Sequence, residues 1–285
     1  QQAQLAKGNF APEAVSVTDL FMGALIPGLC LVFLYILWQM IYANLYPKNM
    51  PSIPKSERNM EDFIKLRNRV IKVLIPPLFL IFAVLGSILA GLATPTESAG
   101  VGAIGAMLLA YTRKQFNFKI LKEVALSTAQ TTSMVFTILI GAAMFSLVFR
   151  GFGGDEIVAE FLMSIQGGVF TAILITMVLM FLLGFFLDFI EIVYVVLPII
   201  GPAILMMDIN PLWFAIMIAV NLQTSFLTPP FGFSLFYLRG VAPPQVLTTD
   251  IYRGAVPYVA IQLIMLLILA LFPELATWLP SILYK

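Results

Sequence analysis

Apolar residues run almost unbroken through most of the chain, and the polar residues gather in a few short clusters between the runs. Continuous runs, rather than alternation, predict helices that cross a bilayer and argue against a β-barrel. The first run, about Asp19 to Leu45, predicts one long helix. A second covers about Val70 to Leu92 and a third about Pro95 to Tyr111. The third opens on Thr94-Pro95-Thr96-Glu97: a hydroxyl at the N-cap, proline at the first helical position and a carboxylate at the third. Phe118 to Thr131 is amphipathic and is expected to lie along the membrane interface as an element of its own. Thr132 to Phe149 is then a separate span, and Ile157 to Ser164 a short amphipathic piece.

Two interruptions follow. Val169 to Phe186 is apolar, Leu187-Asp188-Phe189-Ile190-Glu191 breaks it, and Ile192 to Met207 is apolar again. Each arm is a helix of roughly 15–17 residues, about 25 Å long, near the lower limit for spanning. These arms are either two short spans or a re-entrant hairpin with its tip at membrane depth, where irregular backbone is tolerated only when buried or lining a cavity. Pro211 to Leu238 is a further run, broken near its middle by Asn-Leu-Gln-Thr-Ser-Phe-Leu-Thr-Pro-Pro-Phe-Gly, residues 221–232. Gly254 to Pro280 is the last span.

Composition agrees with a polytopic membrane protein of the all-α class. Of 285 residues, 60% are hydrophobic and 11% charged, well below the quarter usual for soluble domains. Net charge is +1, so no basic field suggests nucleic acid. The chain has no histidine and a single cysteine, Cys30, which excludes His-ligated metals, a disulfide and the Ser-His-Asp and Cys-His constellations of hydrolytic enzymes. Lys48, Lys55, Arg58, Lys65, Arg67, Arg69 and Lys72 place the first loop on the cytoplasmic side. Arg113, Lys114, Lys119 and Lys122 place the next basic loop there too. Arg239 and Arg253 on one later loop, against Asp208 on the other, favour the hairpin count.

One stretch recurs. Ala11, Pro12, Val15, Thr18, Asp19, Gly23 and Ala24 match Ala242, Pro243, Val246, Thr249, Asp250, Gly254 and Ala255. The stretches begin at Ala11 and Ala242, so every pair lies 231 positions apart. This is either a shared helix-entry pattern or one element of two homologous halves. On the charge reading Asp19 lies outside and Asp250 inside, the arrangement of an inverted-topology repeat. Residues 1–45 would then close a first repeat, and most of that repeat is expected before Gln1. Scaffold helices with the basic loops and arm occupy 46–130. Residues 131–241 carry the hairpin (about 168–207) and the broken helix (about 211–239), and 242–285 the final helix.

With these motifs together, the chain resembles the large membrane subunit of tripartite ATP-independent periplasmic (TRAP) transporters, in its later part. The carrying residues are GLATPTESAGVGAIGAMLLAY (91–111), FLLGFFLDFIEIVYVVLPIIGP (181–202) and LQTSFLTPPFGFSLFYLRGVAP (222–243). The resemblance implies a bacterial inner-membrane, sodium-coupled importer of an organic acid, working as an elevator. It implies no cofactor beyond Na⁺ as coupling ion. The implied partners are an extracytoplasmic substrate-binding protein, a small membrane subunit, the earlier half of the same subunit and the lipid bilayer. The implied fold is similar to that of sodium/divalent-anion symporters, in which a Thr-Pro-Pro marks the broken helix; Thr228-Pro229-Pro230 matches it. At the hairpin tip this chain departs from those relatives, with Asp188-Phe189-Ile190-Glu191 where they carry small polar residues.

The candidate binding residues are Asp188, Glu191, Asn221, Gln223, Thr224, Ser225, Thr228, Pro229, Pro230 and Gly232. Proline has no amide donor and clashes with the carbonyl four residues back, so carbonyls near Ser225 and Phe226 lose helical partners. Those carbonyls with the hydroxyls of Thr224, Ser225 and Thr228, and with Asp188, suit Na⁺. The competing reading is a Pro-kinked helix whose polar groups bond to neighbouring helices. Asp188 and Glu191 have capping-box spacing, and either cap the second arm or serve an ion or proton. Glu97 with Thr94 and Thr96 reads as a helix cap. Arg150, Asp155 and Glu156 read as an exterior turn and a possible docking surface. A proton-coupled carrier or passive anion channel is the alternative function.

Overall fold

The computed structural model describes residues 15–51, 60–229, 232–243 and 245–283. Every regular element among them is helical. In chain order these are α1 Val17–Leu45, α2 Met60–Leu89, α3 Pro95–Thr112, α4 Phe118–Gly151, α5 Gly154–Ser164 and α6 Gly168–Leu183. Then come α7 Phe189–Leu205, α8 Pro211–Phe226, α9 Phe233–Val241, α10 Thr248–Leu271 and α11 Glu274–Leu283. Four are long and apolar enough to cross a membrane: α1, α2 from Ile64, α4 and α10. The chain divides into two compact units. One joins the beginning of the chain, through Tyr35, to Thr131 onward, and the other is Ile36–Gln130.

In the Ile36–Gln130 unit, α2 and α3 form an antiparallel pair with a constant register. Ser87 and Ser98 share a hydroxyl hydrogen bond of 2.9 Å. One turn further, a Cβ on Gly102 would lie 3.2 Å from Val84, and one on Gly105 would lie 2.4 Å from Leu80. These glycines let two apolar helices approach closely where lipid offers no hydrophobic drive. At the far end the Arg113 guanidinium donates to the carbonyls of Lys72 at 2.8 Å and Val73 at 3.4 Å. Those two carbonyls would ordinarily accept from residues 76 and 77, which are prolines. Arg113 therefore supplies the donors that the Pro76-Pro77 pair removes, and α2 stays helical through both. The Thr94–Glu97 capping box is present at the start of α3, with bonds of 2.8 and 3.3 Å.

In the other unit α8 is the central element. It packs against α6, α9, α10 and α11, while α5 packs on α7 and α6. It buries most of its circumference, including Leu212, Phe214, Met217 and Ile218, and leaves one stripe, Ala215, Ala219 and Gln223, less covered. Its start is local chemistry: Asn210 Oδ1 accepts from the amides of Leu212 and Trp213, and Pro211 occupies the first helical position.

Two expected elements differ. Residues 118–131 and 132–149 are not separate pieces but one 34-residue helix. No proline lies in that stretch, and its hydroxyls fold back onto the helix: Thr128 to Val124 O and Thr137 to Ser133 O, both 2.8 Å. The last span is in turn broken. Pro273 ends α10 at Leu271, and α11 restarts at Glu274. Leu269 loses its donor to Pro273, and the Trp213 indole N–H takes its place at 2.8 Å. Trp213→Phe keeps most of the packing but leaves that buried carbonyl bare. We expect a loss of about 1–2 kcal/mol in thermal unfolding of the detergent-solubilised protein; an unchanged transition would contradict the assignment.

The two recurring stretches begin their helices alike. α1 starts at Val17 and α10 at Thr248, again 231 positions apart. In each, the aspartate takes the backbone N–H three residues before it: Ser16 to Asp19 at 2.8 Å and Leu247 to Asp250 at 3.1 Å. Leu247 has no side-chain acceptor, so only the first helix has the reciprocal bond, from Asp19 N to Ser16 Oγ at 3.0 Å.

Candidate binding site at the helix break

α6 and α7 form a helical hairpin joined by Gly184–Asp188. α6 has 16 residues, about 24 Å, short of the ~30 Å hydrocarbon core. α8 has the same length and runs parallel to α6, held in register at two points. Asn221 Nδ2 donates to Met177 O at 2.8 Å, and Ser225 Oγ donates to Phe181 O at 3.3 Å. Both pairs are 44 residues apart in sequence, so one turn on α8 meets one turn on α6.

The second bond has a local cause. α6 ends by tightening: Phe185 N bonds to Leu182 O at 3.2 Å instead of reaching one residue further back, so Phe181 O has no amide donor from that turn. Ser225 supplies it. A Cβ on Gly184 would lie 2.5 Å from both Cβ and Oγ of Ser225, so only glycine allows this approach. One residue on, the Phe189 and Phe226 rings meet edge-to-face with centroids 5.8 Å apart. The hairpin tip and the break in α8 thus lie at one level, side by side.

At the break the hydroxyls turn inward on their own helix. Thr224 Oγ1 donates to Val220 O and Thr228 Oγ1 to Thr224 O, each at 2.9 Å. A hydroxyl that donates in this way keeps its lone pairs for a cation or another donor. Ser225 O, which Pro229 cannot serve, accepts from Thr228 N at 3.1 Å. The chain then folds back on itself. A Cβ on Gly232 would meet Phe226 O at 2.8 Å and Thr228 O at 3.0 Å, so two carbonyl oxygens converge where glycine has no side chain. The Thr228 amide nitrogen stands beside them at 3.2 Å, and the two carbonyls are acceptors of the kind a hard cation takes. The same spot is where α6 and α8 present their C-terminal ends, which carry partial negative charge. α7 and α9 present N-terminal ends, with the opposite sign, from Phe189 and Phe233.

The sequence candidates distribute as follows. Asn221, Thr224 and Ser225 are fully buried, and Thr228 and Pro229 half-buried, all at the junction. Gly232 is buried and lies against it. Gln223 is exposed on another face of α8. Pro230 lies outside the described residues. Asp188 is half-buried and caps α7, accepting from Phe189 N at 2.7 Å. Glu191, also half-buried, makes no return bond among the described residues, so the capping box is incomplete. α7 leaves regular geometry at that point, passing through a π-helical turn, Ile192–Val196, in which Leu197 N reaches Ile192 O. Such turns recur at functional sites. Arg150, Asp155 and Glu156 are exposed near Gly153, whose φ is 72°. The residues that spacing could not find are Gly184 and the acceptors Met177 and Phe181. The glycine before the polar tip was the one visible sign.

Comparison with known proteins adds an independent line. The family described as "Tripartite ATP-independent periplasmic transporter, DctM component" matches residues 10–275. A putative TRAP transporter large permease protein of Haemophilus influenzae is 28% identical, over 91% of this chain and 62% of its own length. The sialic acid TRAP transporter large permease protein SiaM of Vibrio cholerae is 28% identical, over 94% of this chain and 60% of its own. The C4-dicarboxylate TRAP transporter large permease protein DctM of the same species is 25% identical, over 96% and 63%. The chain spans about three fifths of the length of these curated relatives.

Proposed function

The chain belongs to the DctM component family of tripartite ATP-independent periplasmic transporters and is a multi-pass inner-membrane protein, and we propose that it forms part of a binding-protein-dependent secondary transporter that imports an organic acid with Na⁺ as coupling ion. The observation that carries this reading is the junction of α6 and α8. Two parallel helices end together, their carbonyl ends and the Thr224, Ser225 and Thr228 hydroxyls around one spot, with two further half-helices starting beside it. The C-terminal ends and the carbonyls beside Gly232 favour a monovalent cation. The N-terminal ends of α7 and α9 favour a carboxylate.

In this reading the α6–α7 hairpin is re-entrant, its short arms reaching the bilayer midplane and not crossing it. Asn221 and Ser225 are positioning residues: they hold α8 to α6 so that tip and break present one surface. Asp188 fixes the start of α7 and adds negative charge near the cation. The paired helix starts at Val17 and Thr248 support a repeat of opposite polarity, and with it an elevator movement of the site against a scaffold. The substrates for which two of these relatives are named, sialic acid and C4-dicarboxylate, are both carboxylates, which supports that class here. An extracytoplasmic binding protein, a small membrane subunit and the rest of the large subunit complete the assembly.

The test is uptake by the full-length subunit, with its small subunit and binding protein, in liposomes. Sialic acid and a C4-dicarboxylate serve as trial substrates. Uptake is expected with an inward Na⁺ gradient and not with K⁺. Equal uptake in K⁺, or uptake that follows a pH gradient instead, contradicts sodium coupling and favours the proton-coupled alternative.

A further inference from the structure

We infer that the basic end of the α2–α3 pair is a discrete binding site for an anionic phospholipid. Its acyl chain lies in an apolar groove and its phosphate among lysine and arginine side chains.

The groove is open, about 320 Å³, and lined by Ile104, Met107, Leu108, Tyr111 and Phe116. Ile104, Leu108 and Tyr111 form one stripe on α3, and Phe116 comes from the connection to α4 and closes the end. That connection is pinned. Lys114 N donates to Tyr111 O and Gln115 N to Ala110 O, both 2.9 Å, the two bonds of a Schellman turn.

The turn carries a lysine where glycine is the unstrained choice. It needs a left-handed residue, and Lys114 supplies it with φ 57°. The same turn ends α2, where Gly91 takes the left-handed position at φ 68°, with Gly91 N to Ile88 O and Leu92 N to Ser87 O. Glycine adopts this conformation freely, whereas a side chain there carries a strain of about 1–2 kcal/mol. Lys114 stands beside the groove, between Tyr111 and Phe116, despite that strain.

The other charges converge by register. Lys65, Arg69 and Lys72 follow i, i+4, i+7 spacing on one face of α2. Arg113 meets Lys72, which sets the basic start of α2 at the same end of the pair as Phe116, with Arg69 one turn before Lys72. All five cations are exposed. Among the described residues the ion pair present is Lys119–Glu123, at 4.0 Å, which uses none of them. Of the carboxylates in this unit whose side chains are described, Glu97 sits at the opposite end of α3 and Glu123 pairs with Lys119, while Glu61 and Asp62 lie at the start of α2, within a turn of Lys65. By the positive-inside rule this end faces the cytoplasmic leaflet. A groove sized for alkyl chain, at the end of the pair where exposed cations outnumber the carboxylates, matches a phospholipid of net negative charge better than a zwitterionic one.

The experiment is native mass spectrometry of the full-length subunit released from micelles carrying equal phosphatidylglycerol and phosphatidylcholine. Wild type should retain phosphatidylglycerol at least fivefold over phosphatidylcholine. Arg69→Gln with Lys114→Gly should lose about twentyfold, near fivefold for each charge. Glycine suits the Lys114 backbone, so this variant is expected to fold at least as well as wild type. Leu108→Trp, which fills the groove with every charge kept, should also lower retention. Lys119→Gln with Lys122→Gln should not. Equal loss in this last pair would show a diffuse field and overturn the site. So would displacement of the lipid by free glycerol phosphate, which would mark a phosphate site without need of a chain. Undiminished retention in Leu108→Trp would also overturn it.

Discussion

Gly184→Ala should destabilise the protein by about 1–3 kcal/mol and abolish transport, although alanine suits that backbone. The residue has φ −65° and ψ −5°, ordinary helical values, so its conformation makes no demand for glycine. The demand comes from Ser225, whose Cβ and Oγ would both lie 2.5 Å from the added methyl. Carbon atoms in contact normally sit about 3.5–4.0 Å apart. Relief requires α6 and α8 to part by roughly an ångström, and the Ser225–Phe181 bond, at 3.3 Å, has no slack to absorb it. A double-mutant cycle isolates the cause. Ser225→Gly removes both clashing atoms, so Gly184→Ala should be less costly in that background by at least 1 kcal/mol. Additive effects in thermal unfolding would show that the collision is not the reason. The double variant should regain stability and not full transport, because the hydroxyl stays lost.

Asn221→Asp should be the most damaging near-isosteric change at the junction. Asn221 is 2% exposed, and its amide donates to Met177 O at 2.8 Å. An aspartate of the same shape puts a carboxylate oxygen against that carbonyl, acceptor facing acceptor, in a site without a compensating cation from the protein. An uncompensated buried charge costs about 3–5 kcal/mol. Asn221→Ala removes the donor and leaves a small cavity, which should cost nearer 2 kcal/mol. The expected order of stability is wild type, alanine, aspartate. Aspartate equal to or better than alanine would mean that the Asn221 amide is not committed to Met177.

Much of the local architecture was legible because its causes are local. Thr94-Pro95 and Asn210-Pro211 announce helix starts, since a capping oxygen followed by proline works within four residues. The prolines identify which carbonyls lose their donors. They do not say who replaces those donors. Arg113 serves the pair left by Pro76 and Pro77 from 41 and 40 residues away, and Trp213 serves Leu269 from 56. No local pattern encodes such partners. The same limit hid the parallel register of α6 and α8, and Gly184 with it: its importance depends on an atom of Ser225, not on anything in its own turn. The unbroken α4 was missed for another reason. A change from amphipathic to apolar composition looks like a boundary, yet composition alters the surroundings of a helix without ending it, and no proline or cap stands there.

The two bonds between α6 and α8 have a mechanical meaning. They are spaced one turn apart on both helices, so any sliding short of a full 5.4 Å pitch forfeits both. The hairpin tip cannot creep along the broken helix; the pair behaves as a stiff strut. A force applied at its tip would be carried along its length to its foot. There the backbone turns through left-handed residues, Gly167 at 106° before α6, Gly168 at 65° where it begins, and Asp208 at 60° between α7 and α8. Those joints, some 24 Å from the proposed ion, are where a change in occupancy would become rotation.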